Sequence, residues 1–501
     1  MKPPGHLAPL EGTAIVGTMR WTARSRPLRL SGSTPMTKQT TTIQTAIRAA
    51  TGRSRIQQRN LSVAALMCLL LLPTIATAAT YTVGDGGDYA NLEALRTSGI
   101  LQDGDTIDLN GDDNSMTNSF TNSLTFKGSG VISPAASTSR FFYGTDKTLT
   151  IDSDALEFKN FSVNGYGGAF YGNVVISGGT NTFSDNSTRS GAAYYGGAIN
   201  ASESATLWAT SGDFTFRGNK DGVGTANEKA NAIYVNGATL TLAAEGGQNI
   251  YFYDPVTTYS NPNRTININN QATDTGRVIF DGSDYTHAVD RTSAVYGDTT
   301  VGYGMLGLKG NAIYGAADKV GTFTLNEWAT LATDNTVNRV QANTIMLNGL
   351  VDVASGGTLE LAAMNGSYIN GTVSLGLGFD PFGLVGTFGS VSVFGNLTFG
   401  EDALVSLYWG DTFSPTEGWR QDYDMSDLFS ATGMMPGYEN LLFDASSLAN
   451  SGFDWSWNSD NSVLTLSYGN GDGSVVPEPA TLAMVALGLA GLGLACRRQR
   501  K

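Results

Sequence analysis

From Thr80 onward the chain runs through short stretches of three to six residues in which apolar and polar positions alternate, each cut off by Gly, Asn, Asp or Ser. Leu149-Thr-Ile151, Val174-Val-Ile176, Leu240-Thr-Leu242, Val278-Ile-Phe280, Phe323-Thr-Leu325, Leu359-Glu-Leu361 and Val391-Ser-Val-Phe394 are examples. A period of two puts alternate side chains on opposite faces of a strand, and frequent turn residues keep the strands short, so the pattern predicts an all-β body. The first thirty residues of this body differ. Leu92 and Leu95 share one helical face in Asn91-Leu-Glu-Ala-Leu-Arg96, whereas Ile107 and Leu109 alternate, which predicts strand, short helix, strand.

Two segments depart from the pattern by being apolar on every side. The first, residues 61–75, follows Arg53, Arg55 and Arg59 and ends in Ala76-Thr-Ala78. That is the order of a signal peptide, with the small residues Ala76 and Ala78 where a signal peptidase reads its site. Cys68 raises a lipoprotein anchor as the alternative, disfavoured because Met67 before it is bulky and the cysteine lies mid-run. Residues 1–60 read as a disordered extension and basic n-region, residues 61–79 as the signal helix and cleavage site, and translation is expected to start at Met36. At the other end, a Gly-containing linker over 470–476 leads into Pro477-Glu-Pro479, seventeen apolar or small residues, and Arg497-Arg-Gln-Arg-Lys501. As a helix that run spans roughly 25 Å at about 1.5 Å per residue, slightly short of a ~30 Å hydrocarbon core. A single transmembrane helix is expected, with the basic tail cytoplasmic and the body outside.

An irregular repeat runs through the body. Gly167-Gly-Ala-Phe170 is followed by Phe183-Ser-Asp-Asn186, and Gly196-Gly-Ala-Ile199 by Phe216-Arg-Gly-Asn219. Asn231-Ala-Ile-Tyr234 precedes Tyr251-Phe-Tyr-Asp254, and Asn311-Ala-Ile-Tyr314 returns later. Units about 29 to 35 residues apart favour a solenoid over a compact sandwich. Glycine allows tight approach at a corner, the Phe or Ile points inward, and the Asn stacks between layers; these are scaffold roles.

Three resemblances attach to these residues. The linker, Pro-Glu-Pro, apolar helix and basic tail of 477–501 resemble the PEP-CTERM sorting signal. That resemblance implies cleavage near Pro477, Glu478 and Pro479 by an exosortase, with Arg497 and Arg498 in the retained tail, after transient anchoring in the inner membrane. Its implied destination is the cell surface or the exopolysaccharide matrix. The strand, helix, strand start resembles the capped beginning of right-handed parallel β-helices of the pectate-lyase-like superfamily. The paired GGA(I/F) and FxxN elements resemble the repeats of polymorphic membrane proteins and other autotransporter passengers. Together they imply a right-handed parallel β-helix over residues 80–469 with a short N-terminal capping helix. The autotransporter route is not expected, because a single apolar helix with a basic tail stands where a C-terminal barrel would.

Charge and chemistry narrow the function further. Of 30 basic and 44 acidic residues, residues 1–79 hold ten and one and residues 477–501 four and one, so the body keeps 16 and 42. Such an acidic body repels phosphates, and nucleic acid is not an expected partner. Cys68 and Cys496 both lie in the apolar ends, which removes disulfides and cysteine sites from the body. His287 is the body's one histidine, which disfavours Ser-His-Asp triads and zinc sites.

Asp85, Asp88, Asp103, Asp105, Asp108, Asp112 and Asp113 are dense enough to suggest acid–base work or calcium, but most lie beside Gly or Asn. Solvated turns are the favoured reading, and Ca²⁺ is the one cofactor alternative, without EF-hand or GGxGxD spacing to support it. Lys159, Arg217, Lys220, Arg277 and Arg291 are candidates for a basic cluster on one face, read as surface charges. Trp455 and Trp457 share a strand face; closure of the core is favoured over sugar stacking. No catalytic residue is expected. The reading is an exported structural or adhesive surface protein, with extracellular polysaccharide as the implied partner. A polysaccharide lyase or glycoside hydrolase on the same scaffold is the alternative.

Overall fold

In a computed structural model the described residues all fall within one compact unit that begins at residue 78. The structure describes residues 78–469 apart from 137–138, 190–194, 238, 319, 380–384, 411–414, 416–417, 438–440 and 459–461. The expected signal helix and C-terminal transmembrane helix lie outside the described residues. Among the described residues no helix is long and apolar enough to cross a membrane.

The described residues are mostly β-strand, and almost every strand pairs in parallel with one further along the chain. Thr80–Gly84 pairs with Thr106–Asn110, which pairs with the first part of Leu124–Pro134, and the succession continues through Phe142–Lys159 and Phe170–Ser184. It passes on through Ile199–Ala209, Thr239–Ala244, Thr265–Ile268 and Asp298–Lys309 to Leu397–Phe399. A second column of parallel pairs runs beside it from Asp113–Met116 to Leu442–Asp444. Shorter strands such as Ile233–Val235 and Val337–Ala342 build further parallel ladders. Paired residues lie 18 to 38 positions apart, a wider range than the repeat spacing predicts. The columns keep their pairing while the connecting segments vary in length.

Each column buries the alternate residues that the sequence marks as apolar. Phe158, Phe183, Phe216, Phe252 and Phe280 fall in one register, and successive rings are nearly parallel with centroids 4.7 to 5.4 Å apart. That spacing is close to the ~4.8 Å between hydrogen-bonded strands, so equivalent side chains from successive strands stack directly. The GGA(I/F) motifs also align, with Phe170 opposite Ile199 and Ile199 opposite Ile233, all fully buried. Gly167 and Gly196 hold positive φ angles of 60° and 68°. A Cβ on either would lie about 2 Å from the carbonyl oxygen three residues on, so the corner needs glycine. The same letters mislead at Asn311-Ala-Ile-Tyr314, where Tyr314 is buried and Ile313 is only half-buried.

The two ends of this core are covered as the sequence predicts. The helix Leu92–Thr97 is capped by Asn91, whose side chain accepts from the Ala94 N–H, and it buries Leu92 and Leu95 completely. At the far end Arg420–Asp424, Phe453–Asn458 and Val463–Tyr468 form a three-stranded antiparallel sheet. Trp455 and Trp457 are half-buried against the core, with the Trp457 ring 4.4 Å from Phe443. Closure is the role this placement gives them.

Candidate functional site

The acidic residues near the start of the body mostly satisfy backbone donors. Asp113, buried, accepts from the Leu92 N–H at 2.7 Å and from Ser115 N and Oγ, tying the capping helix to the strand Asp113–Met116. Asp105, also buried, accepts from the N–H groups of Ala79 and Gln102, both at 2.8 Å. Asp88 accepts from Thr82, Asp112 from the Val131 N–H, and Asp103 from Ser123 N–H and Lys147. Asp85 is exposed, and Asp108 stands half-buried on the outer face of its strand. No group of three metal-binding side chains gathers among the described residues.

The basic candidates do not assemble into one site. Lys159 lies 3.8 Å from Glu157, Lys220 3.1 Å from Glu228, and Arg217 is bidentate to Asp284 while its guanidinium covers Tyr253. Arg277 begins the strand Arg277–Asp281 and is exposed. Arg291 lines a cavity with Asp254, Asp281 and Asp290, but it holds only about 10 Å³. That is room for a single water at most. His287 is exposed beside it and caps nothing.

The same corner contains the ladder on which the FxxN repeat depends. Asn186 Nδ2 donates to Asn219 Oδ1 at 3.0 Å, and Asn219 Nδ2 donates to Asp254 Oδ2 at 2.8 Å. Each amide also bonds the strand before it, Asn186 to the Phe158 carbonyl and Asn219 to the Phe183 carbonyl. Asp254 closes the row by accepting from Tyr285 Oη at 2.5 Å. Burial pushes the Asp254 carboxyl up, against the pull of Tyr285, Asn219 and Gly218 donors. The row is a clamp whose buried side chains are held by hydrogen bonds.

A different region is open. A groove of about 560 Å³ crosses successive connecting segments and is lined by Thr117, Ser119, Ser139, Arg140, Ser162 and Arg189, among others. None of its described lining residues is acidic. The hydroxyls are positioned by neighbouring segments: Ser139 donates to the Thr117 carbonyl, Ser119 to the Arg140 carbonyl, and Ser187 to Ser162 Oγ. Arg189 Nε donates to the same Ser162 oxygen at 3.0 Å. Glu93, which accepts from Thr117 of the lining, is already engaged by Arg96 as well. Arg140 differs: its Nε is buried and has no hydrogen-bond partner among the described residues. Burial lowers its pKa from the ordinary value, yet a guanidinium stays charged.

Beside the groove stands a column of tyrosines. Tyr143 and Tyr171 are paired in register and stack at 5.2 Å, Tyr166 stacks on Tyr171 at 5.3 Å, and Tyr195 meets Tyr166 edge-on at 4.4 Å. Tyr143 and Tyr166 remain more than 40% exposed. The Arg140 guanidinium lies 4.9 Å from the Tyr143 ring centre, joining the column to the groove. Sequence reading missed this site. Its one visible signal is the Phe-Tyr pair at 142–143 and again at 170–171, where Phe points in and Tyr out.

Of the processing residues, Ala78 is exposed two positions before the first strand. Ala76, Pro477, Glu478, Pro479, Arg497 and Arg498 lie outside the described residues.

Residues 475–501 match the PEP-CTERM protein-sorting motif. The chain is similar to "Probable outer membrane protein pmp7" of Chlamydia pneumoniae, 36% identical over 152 residues that cover 28% of this chain and 16% of that protein. It is also similar to "Probable outer membrane protein pmp8" of the same organism, 33% identical over 244 residues, 45% of this chain and 25% of the relative. The chain thus spans a quarter or less of the length of these curated relatives. No solved structure matches it. This chain therefore joins a PEP-CTERM sorting motif to a mostly parallel β body similar to probable outer membrane proteins of Chlamydia pneumoniae.

Proposed function

We propose that this is an exported surface or matrix protein whose body is a right-handed parallel β-helix with a structural or adhesive role. Signal peptidase removes the N-terminal segment after Ala78, and an exosortase cleaves near Pro477 to Pro479 and releases the body from the inner membrane. The sorting motif and the outer membrane relatives support export to the cell surface. The single observation that carries the structural role is the Asn186, Asn219, Asp254 ladder, which fills a buried corner with satisfied hydrogen bonds. An enzyme would need acids and bases around an open cleft; here the cavity that Arg291 lines with Asp254, Asp281 and Asp290 holds about 10 Å³.

The test is to express the chain with and without residues 477–501 in an exosortase-bearing host and locate the body by surface labelling. The full chain is expected at the surface in a trimmed form, and the truncated chain elsewhere. Both forms in the same compartment would contradict the reading.

A further inference from the structure

We infer that the groove between Thr117 and Arg189 binds an acidic saccharide, with Arg140 receiving a sugar carboxylate and Tyr143 receiving the apolar face of a pyranose ring. The inference rests on the surface role proposed above but is carried by separate observations. Arg140 is half-buried and lines the groove, while its Nε is shielded from solvent without a hydrogen-bond partner among the described residues. Its planar fork matches a carboxylate in two parallel hydrogen bonds, and no protein carboxylate answers it among the described residues. The Tyr143 and Tyr171 rings face this cation without neutralising it, which a bound carboxylate would do.

The rest of the lining has the chemistry of a sugar site. Ser119, Ser139 and Ser162 already spend a bond on neighbouring segments, which fixes their oxygens for hydroxyl groups to approach. Asn118 and Asn164 add amides at the rim. Arg189 supplies a second cation across the groove, anchored through Nε on Ser162. The volume of about 560 Å³ suits two or three sugar rings, within the ~300–1,000 Å³ of small-molecule sites. Tyr143 and Tyr166 offer exposed rings alongside, and their stacking on Tyr171 holds the column in place.

Among the described residues the lining carries no acid that could serve as half of a general acid–base pair for glycosidic cleavage. The groove is a binding site, and it places a local positive charge on a body whose sequence is strongly acidic. Long-range electrostatics therefore oppose an anionic chain, and short-range contacts must select it.

The full chain, purified in mild detergent, is titrated calorimetrically with an oligogalacturonate, the matching neutral oligogalactose, and inorganic sulfate and phosphate. The oligogalacturonate is expected to bind at least tenfold more tightly than any of the others. Arg140→Gln and Tyr143→Ala are each expected to weaken it at least tenfold with an unchanged circular dichroism spectrum. If Arg140→Gln disturbs folding, Arg189→Gln and Tyr143→Ala carry the test, because both side chains reach the surface. Equal affinity for the neutral oligomer, full competition by sulfate or phosphate alone, or binding indifferent to all three substitutions would overturn the inference. Because the titration uses purified protein, failure here is separate from failure of sorting, which surface labelling reads.

Discussion

Asn219 is completely buried and bonded on both sides of its amide, as well as through its own N–H to Asp254. Replacing it with Leu keeps the volume but strands the Phe183 carbonyl and the Asn186 N–H in a buried corner. Each unsatisfied buried group costs about 1–3 kcal/mol, so Asn219→Leu is expected to lose about 2–4 kcal/mol of stability. Urea unfolding followed by fluorescence measures it, and hydrogen exchange should place the loosening on the strands around 183, 217 and 252. Asp105 carries a second residue-scale expectation. Its carboxylate holds the Ala79 N–H at 2.8 Å. Asp105→Ala leaves the Ala79 and Gln102 N–H groups without their acceptor and is expected to cost about 1–3 kcal/mol, read as a lower urea midpoint; an unchanged midpoint would reject it. At this scale the sequence is readable where a residue has one role, as at the paired glycines, and misleading where a motif slips by one position. Asn231-Ala-Ile-Tyr234 and Asn311-Ala-Ile-Tyr314 are identical, yet the burial of their isoleucines differs because the second lies on a two-residue strand with a different partner.

The short helix Leu92–Thr97 is held by its ends as much as by its apolar face. Glu93 pairs with Arg96 and also accepts from Thr117 N and Oγ1, linking the helix to the segment after Asp113–Met116. The Arg96 guanidinium, helped by Thr117, pulls the Glu93 carboxyl down from 4.5 to about 2. A depressed carboxyl stabilises the fold above its unfolded value, so this contribution is present above about pH 4.5 and lost as pH falls toward 2. Carboxyl NMR should give Glu93 a midpoint near 2, and Glu93→Gln should flatten the acid limb of stability between those values. Leu95→Ala, which empties a fully buried position, is expected to cost about 2–5 kcal/mol, read as a lower urea midpoint. This element was legible because its signals are local: a capping Asn, two leucines at helical spacing and flanking strands. Strand lengths were less so. Alternations of three to six residues merge into strands such as Phe142–Lys159, since pairing continues around bends that a period of two cannot register.

Across the whole body, parallel pairing makes every layer depend on the two beside it. Far-ultraviolet circular dichroism is expected to show a β spectrum with little helix, and a helix-dominated spectrum would contradict the fold. Unfolding is expected to spread along the stack, so probes at Trp208 and Trp455 need not report one midpoint. The all-β class, the capped start and the aromatic closure at the end could be read from hydrophobic alternation and a few local motifs. The groove could not, because Thr117, Arg140, Ser162 and Arg189 come together only through contacts between residues 21 to 27 positions apart. No local pattern encodes that distance.

Thirteen strands stack in the first column, from Thr80–Gly84 to Leu397–Phe399. At about 4.8 Å per step the column is roughly 60 Å long. The groove belongs to its early steps, while the antiparallel sheet ending at Tyr468 belongs to the other end, toward the sorting motif. The column therefore sets the groove roughly 40 Å from that sheet, and each strand gained or lost would reset the separation by about 5 Å.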